Sequence, residues 1–365
     1  MPENEQQIYA LLQLASIPLI GSQRIRNLVA RFKTPQNALA ASAREIMEIQ
    51  GIDKNLARQI KCNVDTKFAD EQMALFQKSG AKILVFWDKD YPDNLKKIHD
   101  PPAFLFVKGT LTPQDENSIA MVGTRMPSSY GKLIAEKFSR ELAQANITII
   151  SGLARGIDTI CHRTCISAGG RTIAVLGSGI DTIYPNENEK LAENIVTNGA
   201  IISEFALGSK PDAPHFPRRN RLIAGLSKGT LVVEAGQKSG ALITADFALD
   251  QGRDVFAIPG NINNPKSYGC NYLIQQGAKI ICSIGDVLEE LDIESQRENA
   301  RKELLTFQLD KTEAAVYQIL SHEPRHIDEI ARVVQLPTSQ VLGTLLSLEL
   351  KNLVRQLMGK TFVRL

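Results

Sequence analysis

The chain carries almost no charge excess of either sign: 42 Lys and Arg against 40 Asp and Glu, a formal net charge of +2. A diffuse polycation is thereby excluded, so any nucleic-acid site must come from local clustering. No apolar run approaches the roughly 18 residues that a membrane-spanning helix needs. The first residues include Glu3 and Glu5 and lack a basic segment or cleavage site, which argues against a secretory signal. The five cysteines, Cys62, Cys161, Cys165, Cys270 and Cys282, are odd in number and suit reduced thiols, so a cytoplasmic location is expected.

Two nucleotide signatures are also missing. A dinucleotide enzyme places G-x-G-x-x-G after its first strand, and a phosphate-binding loop for ATP reads G-x-x-x-x-G-K-[ST]. After Val122 this chain reads GTRMPSS. Gly177-Ser178-Gly179-Ile180-Asp181-Thr182 fails at its last position, and Gly131-Lys132 is followed by Leu133. No cofactor is expected.

What is present is ordinary globular composition over 365 residues, 43% hydrophobic and 22% charged, enough for two or three domains. Residues 1 to 65 read as short helices with two hairpin-like segments, Ile17 to Phe32 and Ile49 to Ile60, each turning at a glycine, Gly21 and Gly51. Glycine permits a left-handed turn between helices. The pair suggests a tandem helix-hairpin-helix (SAM-like) unit, which serves equally for gripping phosphates or for structure and protein contact. Residues 82 to 110 give two strand-like pieces split by prolines, read as a flap onto the next section.

From about 116 to 292, within a domain expected to span 80–292, strands and helices alternate. Continuously apolar strands are expected at Ser118–Val122, Ile147–Ile150, Thr172–Leu176, Ala200–Ser203, Thr230–Glu234, Asp254–Ile258 and Lys279–Cys282. Helical patterns between them are plainest at Ser128–Ala145, Glu187–Asn198 and Gly240–Gln251. Apolar strands in βα units mean a parallel sheet covered on both faces, an α/β Rossmann-like doubly wound domain whose ligands meet the carboxyl ends of the strands. Past a charged stretch, Glu289 to Glu303, residues 305–365 read as a winged helix: helices Thr312–His322, Ile327–Val334 and Thr338–Leu350, then a hairpin from Val354 to Leu365. Its third helix segment offers only Lys351 as a cation, which favours protein contact or packing over DNA reading.

The richest stretch is His215 to Ser227, HFPRRNRLIAGLS. It gathers Arg218, Arg219, Arg221 and Asn220 behind Phe216, next to an apolar segment that would hold them in place. Small-residue loops after the strands add Gly123-Thr124-Arg125, Ser151-Gly152 with Ala154-Arg155-Gly156, and Lys238-Ser239-Gly240. Fixed guanidiniums with helix-start amides serve several phosphates at once. An extended single strand would use them all, with Phe216 or Tyr130 as a stacking platform.

Other constellations are weaker. Asp158 and His162 stand four apart, as an acid–base pair might, but a capping Asp and a packed His explain them more simply. Cys161-His162-x-x-Cys165 lacks a second ligand pair at zinc spacing. Glu234, ending a strand, reads as a loop anchor.

At VGTR (Val122–Arg125), SGLARGID (Ser151–Asp158), AVLGSGID (Ala174–Asp181), FPRRNRLIAGLS (Phe216–Ser227), VVEAGQKSGALITA (Val232–Ala245) and GCNYLIQQGA (Gly269–Ala278), the chain closely resembles the DprA/Smf family of bacterial DNA-processing proteins. It departs at Cys161 and Cys165, where alanine is expected. The resemblance implies a non-enzymatic protein that binds single-stranded DNA and forms a homodimer through its Rossmann-like domain. It further implies protection of incoming strands and loading of RecA recombinase onto them in natural transformation. Two alternatives stand beside it: a nucleotide-processing hydrolase of the phosphoribohydrolase kind, whose P-G-G-x-G-T loop is absent here, and a winged-helix regulator with a ligand-sensing core.

Overall fold

A computed structural model describes residues 3–62, 64–291, 310–321, 325–351, 353–357 and 359–364. Contacts cluster into two units, Met1–Ile293 and Glu294–Leu365.

The first unit is built on one nine-stranded sheet: β1 (Lys82–Val85), β2 (Phe104–Gly109), β3 (Ser118–Val122), β4 (Thr148–Ser151), β5 (Thr172–Val175), β6 (Gly199–Ser203), β7 (Gly229–Val232), β8 (Asp254–Ala257) and β9 (Lys279–Ile280). Their order across the sheet is β1-β2-β6-β5-β4-β3-β7-β8-β9. The strands from β3 to β9 run parallel, each within a residue or two of its expected position. The expected flap is instead part of the sheet. β1 and β2 pair antiparallel with each other, and β2 with β6, so the sheet is mixed with a parallel majority.

Starting at β3 the chain winds outward through β4 and β5 to β6, then returns to lay β7 against the other side of β3. Their carboxyl ends therefore face loops that leave in opposite directions, and a crevice opens between them. Apolar layers fill both faces: Val122, Ile150, Val175 and Val232 with Leu222 and Ile223 on one, Met121, Ile149 and Leu231 with Phe138 and Cys161 on the other.

The N-terminal helices gather most of their apolar side chains in one cluster and also pack against the sheet. Ile8, Leu12 and Met73 pack with Phe106 and Ile195 of the sheet unit, and Ala103 joins the cluster of Leu14, Leu28 and Leu56. At the second hairpin Gly51 has φ +82, as expected for a left-handed turn. At the first, Gly21 is extended at φ −88 and Leu19 takes the positive angle instead. Arg24 ties the hairpins, donating to the carbonyls of Gly51 and Leu19.

The second unit has helices Lys311–Ile319, Ile327–Val334 and Thr338–Leu350 with strands β10 (Arg325–His326), β11 (Val354–Leu357) and β12 (Thr361–Arg364) in the order β10-β12-β11. That is the expected winged helix around Val316, Ile330, Leu345 and Phe362. His322, Leu365 and most of the charged stretch 289–303 lie outside the described residues.

Candidate nucleic-acid interface

A cleft of about 730 Å³ sits where β3 and β7 diverge, lined by Gly123, Thr124, Arg125, Phe216, Asn220 and Lys238 among others. Its floor is braced from below. Thr124 donates its amide to the Glu234 carbonyl at 2.7 Å. The buried Glu234 carboxylate accepts the Ser128 amide at 2.8 Å and the Ser128 hydroxyl, so it anchors the loop that carries Arg125. Gly156, at φ +80, lets the next loop pass so close that a Cβ there would fall 2.3 Å from the Thr124 carbonyl. On one side the helix Gly240–Asp250 starts at the cleft, capped by Ser239.

The opposite wall explains what becomes of the arginine cluster. The stretch is helical from His215 to Leu226, and about 100° per residue fans neighbouring side chains onto different faces. Arg218 is exposed over the Phe205 ring, 5.4 Å from its centroid, and does not line the cleft. Arg221 turns inward into a buried ion pair with Glu204 and donates to the Asp100 carbonyl at 2.7 Å.

Arg219 is only 4% exposed. It donates to the carbonyls of Gly152 and Val175 and to Asn220 Oδ1. Burial pushes its pKa down to about 10, so it remains a cation, and the Asp158 carboxylate favours that charge. The three arginines thus do not form one rim; the strong local cluster of the sequence is divided among three environments. Ser151 is likewise buried, its hydroxyl spent on the Met121 carbonyl at 2.6 Å. Gly152 lies beside the Arg219 guanidinium, where a Cβ would be 2.5 Å from Nη1.

Two exposed cations remain at the cleft. Arg125 and Lys238 make no hydrogen bond among the described residues. The guanidinium of Arg125 stands 5.5 Å from the centroid of Phe216, a cation–π distance. A smaller notch of about 40 Å³ adjoins the cleft, lined by Ala154, Arg155, Tyr184 and Phe216. Tyr184 and Phe216 lie 6.0 Å apart with planes tilted 46°. Tyr184 is not among the expected contacts, although the Tyr184-Pro185 pair after Ala174–Asp181 was an available signal. Lys266, also unforeseen, bridges to the Met126 carbonyl at 2.7 Å. Tyr130, the alternative stacking platform, is half exposed and donates to the Pro259 carbonyl.

The carboxylates near the cleft are engaged. Asp158 accepts from the amides of Gly152 at 3.1 Å and Ala154 at 3.4 Å, holding that loop; burial raises its pKa while Arg219 opposes the rise. His162 is fully buried against Thr172 Oγ1, and burial depresses it to about 3, keeping the ring neutral. Burial pushes the Cys165 thiol up to about 12 and Cys161 higher still, which leaves protonated core thiols in place of thiolate ligands. Asp158 and His162 are therefore packed structural groups.

Comparison with known proteins follows this division of the chain. Residues 82–292 match the family described as DNA recombination-mediator protein A, residues 300–360 the DprA winged helix domain, and residues 11–61 a SAM-like helix-hairpin-helix tandem. The chain is 34% identical to Protein Smf of Synechocystis sp., covering 99% of each chain. It is 46% identical to DNA processing protein DprA of Bacillus subtilis over 60% of this chain and 74% of that one. The crystal structure of DprA from Streptococcus pneumoniae superposes with a TM-score of 0.68 at 36% identity, covering 80% of this chain and 99% of that one. DNA processing protein A from Helicobacter pylori, solved for its single-stranded DNA binding mode, gives 0.52 at 30% identity over 58% and 97%.

Proposed function

This chain belongs to the DNA recombination-mediator protein A (DprA/Smf) family of DNA-processing proteins, and we propose that its cleft binds single-stranded DNA without sequence specificity. The observation that carries this is the pair of unpaired cations, Arg125 and Lys238, set beside Phe216 in a cleft whose floor is backbone. Cations for phosphates and a ring for a base are what a sequence-tolerant single-strand site needs. Asn220, the amide on the wall, is spent on Arg219 and on the Gly240 carbonyl, so it is not free to read a base edge.

Of the predicted contacts, Gly123, Thr124, Arg125, Phe216, Lys238, Ser239 and Gly240 are the direct set. Ala154, Arg155 and Gly156 flank it. Ser151, Gly152, Arg219, Asn220 and Arg221 serve by holding the walls, and Arg218 lies outside on the same helix. Protection of the strand, homodimerisation through the Rossmann-like domain and loading of RecA are proposed from the family resemblance. Among the described residues no helix is long and apolar enough to cross a membrane.

A nucleotide hydrolase on a similar sheet would need a carboxylate free to act in the cleft, whereas Glu234 is held by Ser128 and Asp158 by two amides. The test is a titration of single- and double-stranded oligonucleotides of one sequence at several salt concentrations, with AMP alongside. Tighter single-strand binding that weakens steeply with salt is expected. Equal affinity for duplex, or AMP turnover, would overturn the proposal.

A further inference from the structure

Arg155 is the one site arginine whose fork is already filled from the surface. Its Nε and Nη2 donate to the two carboxylate oxygens of Glu187, each at 3.0 Å. Both side chains are more than half exposed. A carboxylate in that bidentate arrangement occupies the geometry a phosphate would use.

The pairing is built into the fold. Glu187 sits in the short turn Asn186–Asn188. The next residue, Asn188, is buried and donates to the Leu153 carbonyl and to Thr159 Oγ1, both at 2.9 Å. Leu153 and Thr159 bracket Arg155, so Asn188 fastens Glu187's turn to the very loop that carries its partner. Tyr184, three residues before Glu187, forms one wall of the small notch that Arg155 lines, and Phe216 forms another.

Resting on the single-strand reading above, we propose that Glu187 is a built-in competitor of the DNA backbone: it fills the Arg155 fork at the mouth of the Tyr184–Phe216 notch, and a phosphate must displace it there. The consequence is a strand affinity held below what the site's cations would otherwise give. An exposed ion pair is weak, so the exchange is easy and reversible. When the carboxylate leaves, Arg155 turns from a neutralised pair into a cation that releases a counterion from the strand.

The experiment uses the full chain and a fluorescent oligothymidylate, comparing wild type with E187Q, R155A, the double variant and R125A at matched salt. E187Q should bind about three- to fivefold tighter, the range an exposed pair commands. Its salt slope should stay near that of wild type, because Arg155 meets the same phosphate in both complexes and only the cost of displacing Glu187 is gone. R155A should bind more weakly than wild type, and E187Q should add nothing in the R155A background. A gain of equal size in that background would mean a general charge effect and overturn the proposal. Unchanged or weaker binding by E187Q would do the same, whether or not its melting temperature falls. If wild type binds the strand and R125A weakens it while E187Q behaves as wild type, Glu187's role alone fails. If wild type does not bind the strand at all, the single-strand reading fails with it.

Discussion

Arg219 donates to the carbonyl of Gly152 at 2.5 Å from inside the wall of the cleft, and the same guanidinium reaches Val175 across the sheet. This arginine ties the loop after β4 to the helix His215–Leu226. Removing it would strand two carbonyls and leave the buried Asp158 without its cation. Loss of one partner of a buried charged network costs about 3–5 kcal/mol. We therefore expect Arg219→Ala to lower the melting temperature of the first unit markedly, with weaker DNA binding as a consequence of that loss. Differential scanning calorimetry decides it: a variant with the wild-type transition and reduced affinity would place Arg219 on the DNA instead.

Arg125 should behave in the opposite way. It is exposed and held only by the Phe216 face. Arg125→Ala should leave the thermal transition in place while weakening single-strand binding several-fold. The slope of log K against log salt should flatten by up to about 0.7, one phosphate's share for a single strand. Lys238→Ala should follow the same pattern. Wild-type affinity in both variants would move the strand off this cleft.

The contrast between these arginines marks where the sequence was legible and where it was not. Short, mostly apolar runs such as Ser118–Val122 and Asp254–Ala257, alternating with helical segments, fit strands buried on both faces, so the parallel sheet and its loop edge followed from pattern. Glu234 as a loop anchor followed from its place at a strand end. The fate of Arg218, Arg219 and Arg221 did not. Three cations in four residues look like one patch until the helix fans them apart, and the partners that capture two of them, Gly152 and Glu204, come from other loops. β1 and β2 were misread as a flap for a similar reason: antiparallel addition to β6 depends on a pairing far away in sequence. Glu187 escaped notice because an exposed glutamate carries no local pattern at all.

Deleting residues 305–365 should leave single-strand binding nearly unchanged. Residues 310–365 hold 7 Lys and Arg against 6 Asp and Glu, so their net attraction for phosphate is small. Lys351, the cation closing the third helix, is already taken by Glu313 at 2.7 Å. That helix shows solvent Leu342 and Leu346, side chains better suited to protein than to phosphate. The affinity change should stay below about 1 kcal/mol, roughly fivefold. Matched salt and a checked oligomeric state are needed, since a lost dimer would reduce avidity by another route. A hundredfold weaker truncated protein of unchanged oligomeric state would show that the winged helix holds DNA.

Glu313 gives the winged helix its own acid sensitivity. Its carboxylate accepts from Lys351, from the Ser347 hydroxyl at 2.6 Å and from the Asp310 amide at 3.0 Å, linking the first helix to the third. Hydrogen bonds from Lys351, then Ser347, pull its pKa down from 4.5 to about 2. A carboxyl depressed on folding contributes stability that is present above its unfolded value and lost as pH falls toward the folded one. The window here runs from about 4.5 down to about 2. Glu313→Gln keeps the shape but removes the charge, and hydrogen bonds to a charged group are worth about 1.5–3 kcal/mol. Hydrogen-exchange protection of the helix Lys311–Ile319 in the full chain should therefore fall at least about tenfold in the variant at neutral pH. The gap should narrow steadily as both proteins are taken below pH 4.5. Equal protection at neutral pH, or a gap that widens in acid, would show that the Glu313–Lys351 pair does not hold the two helices together.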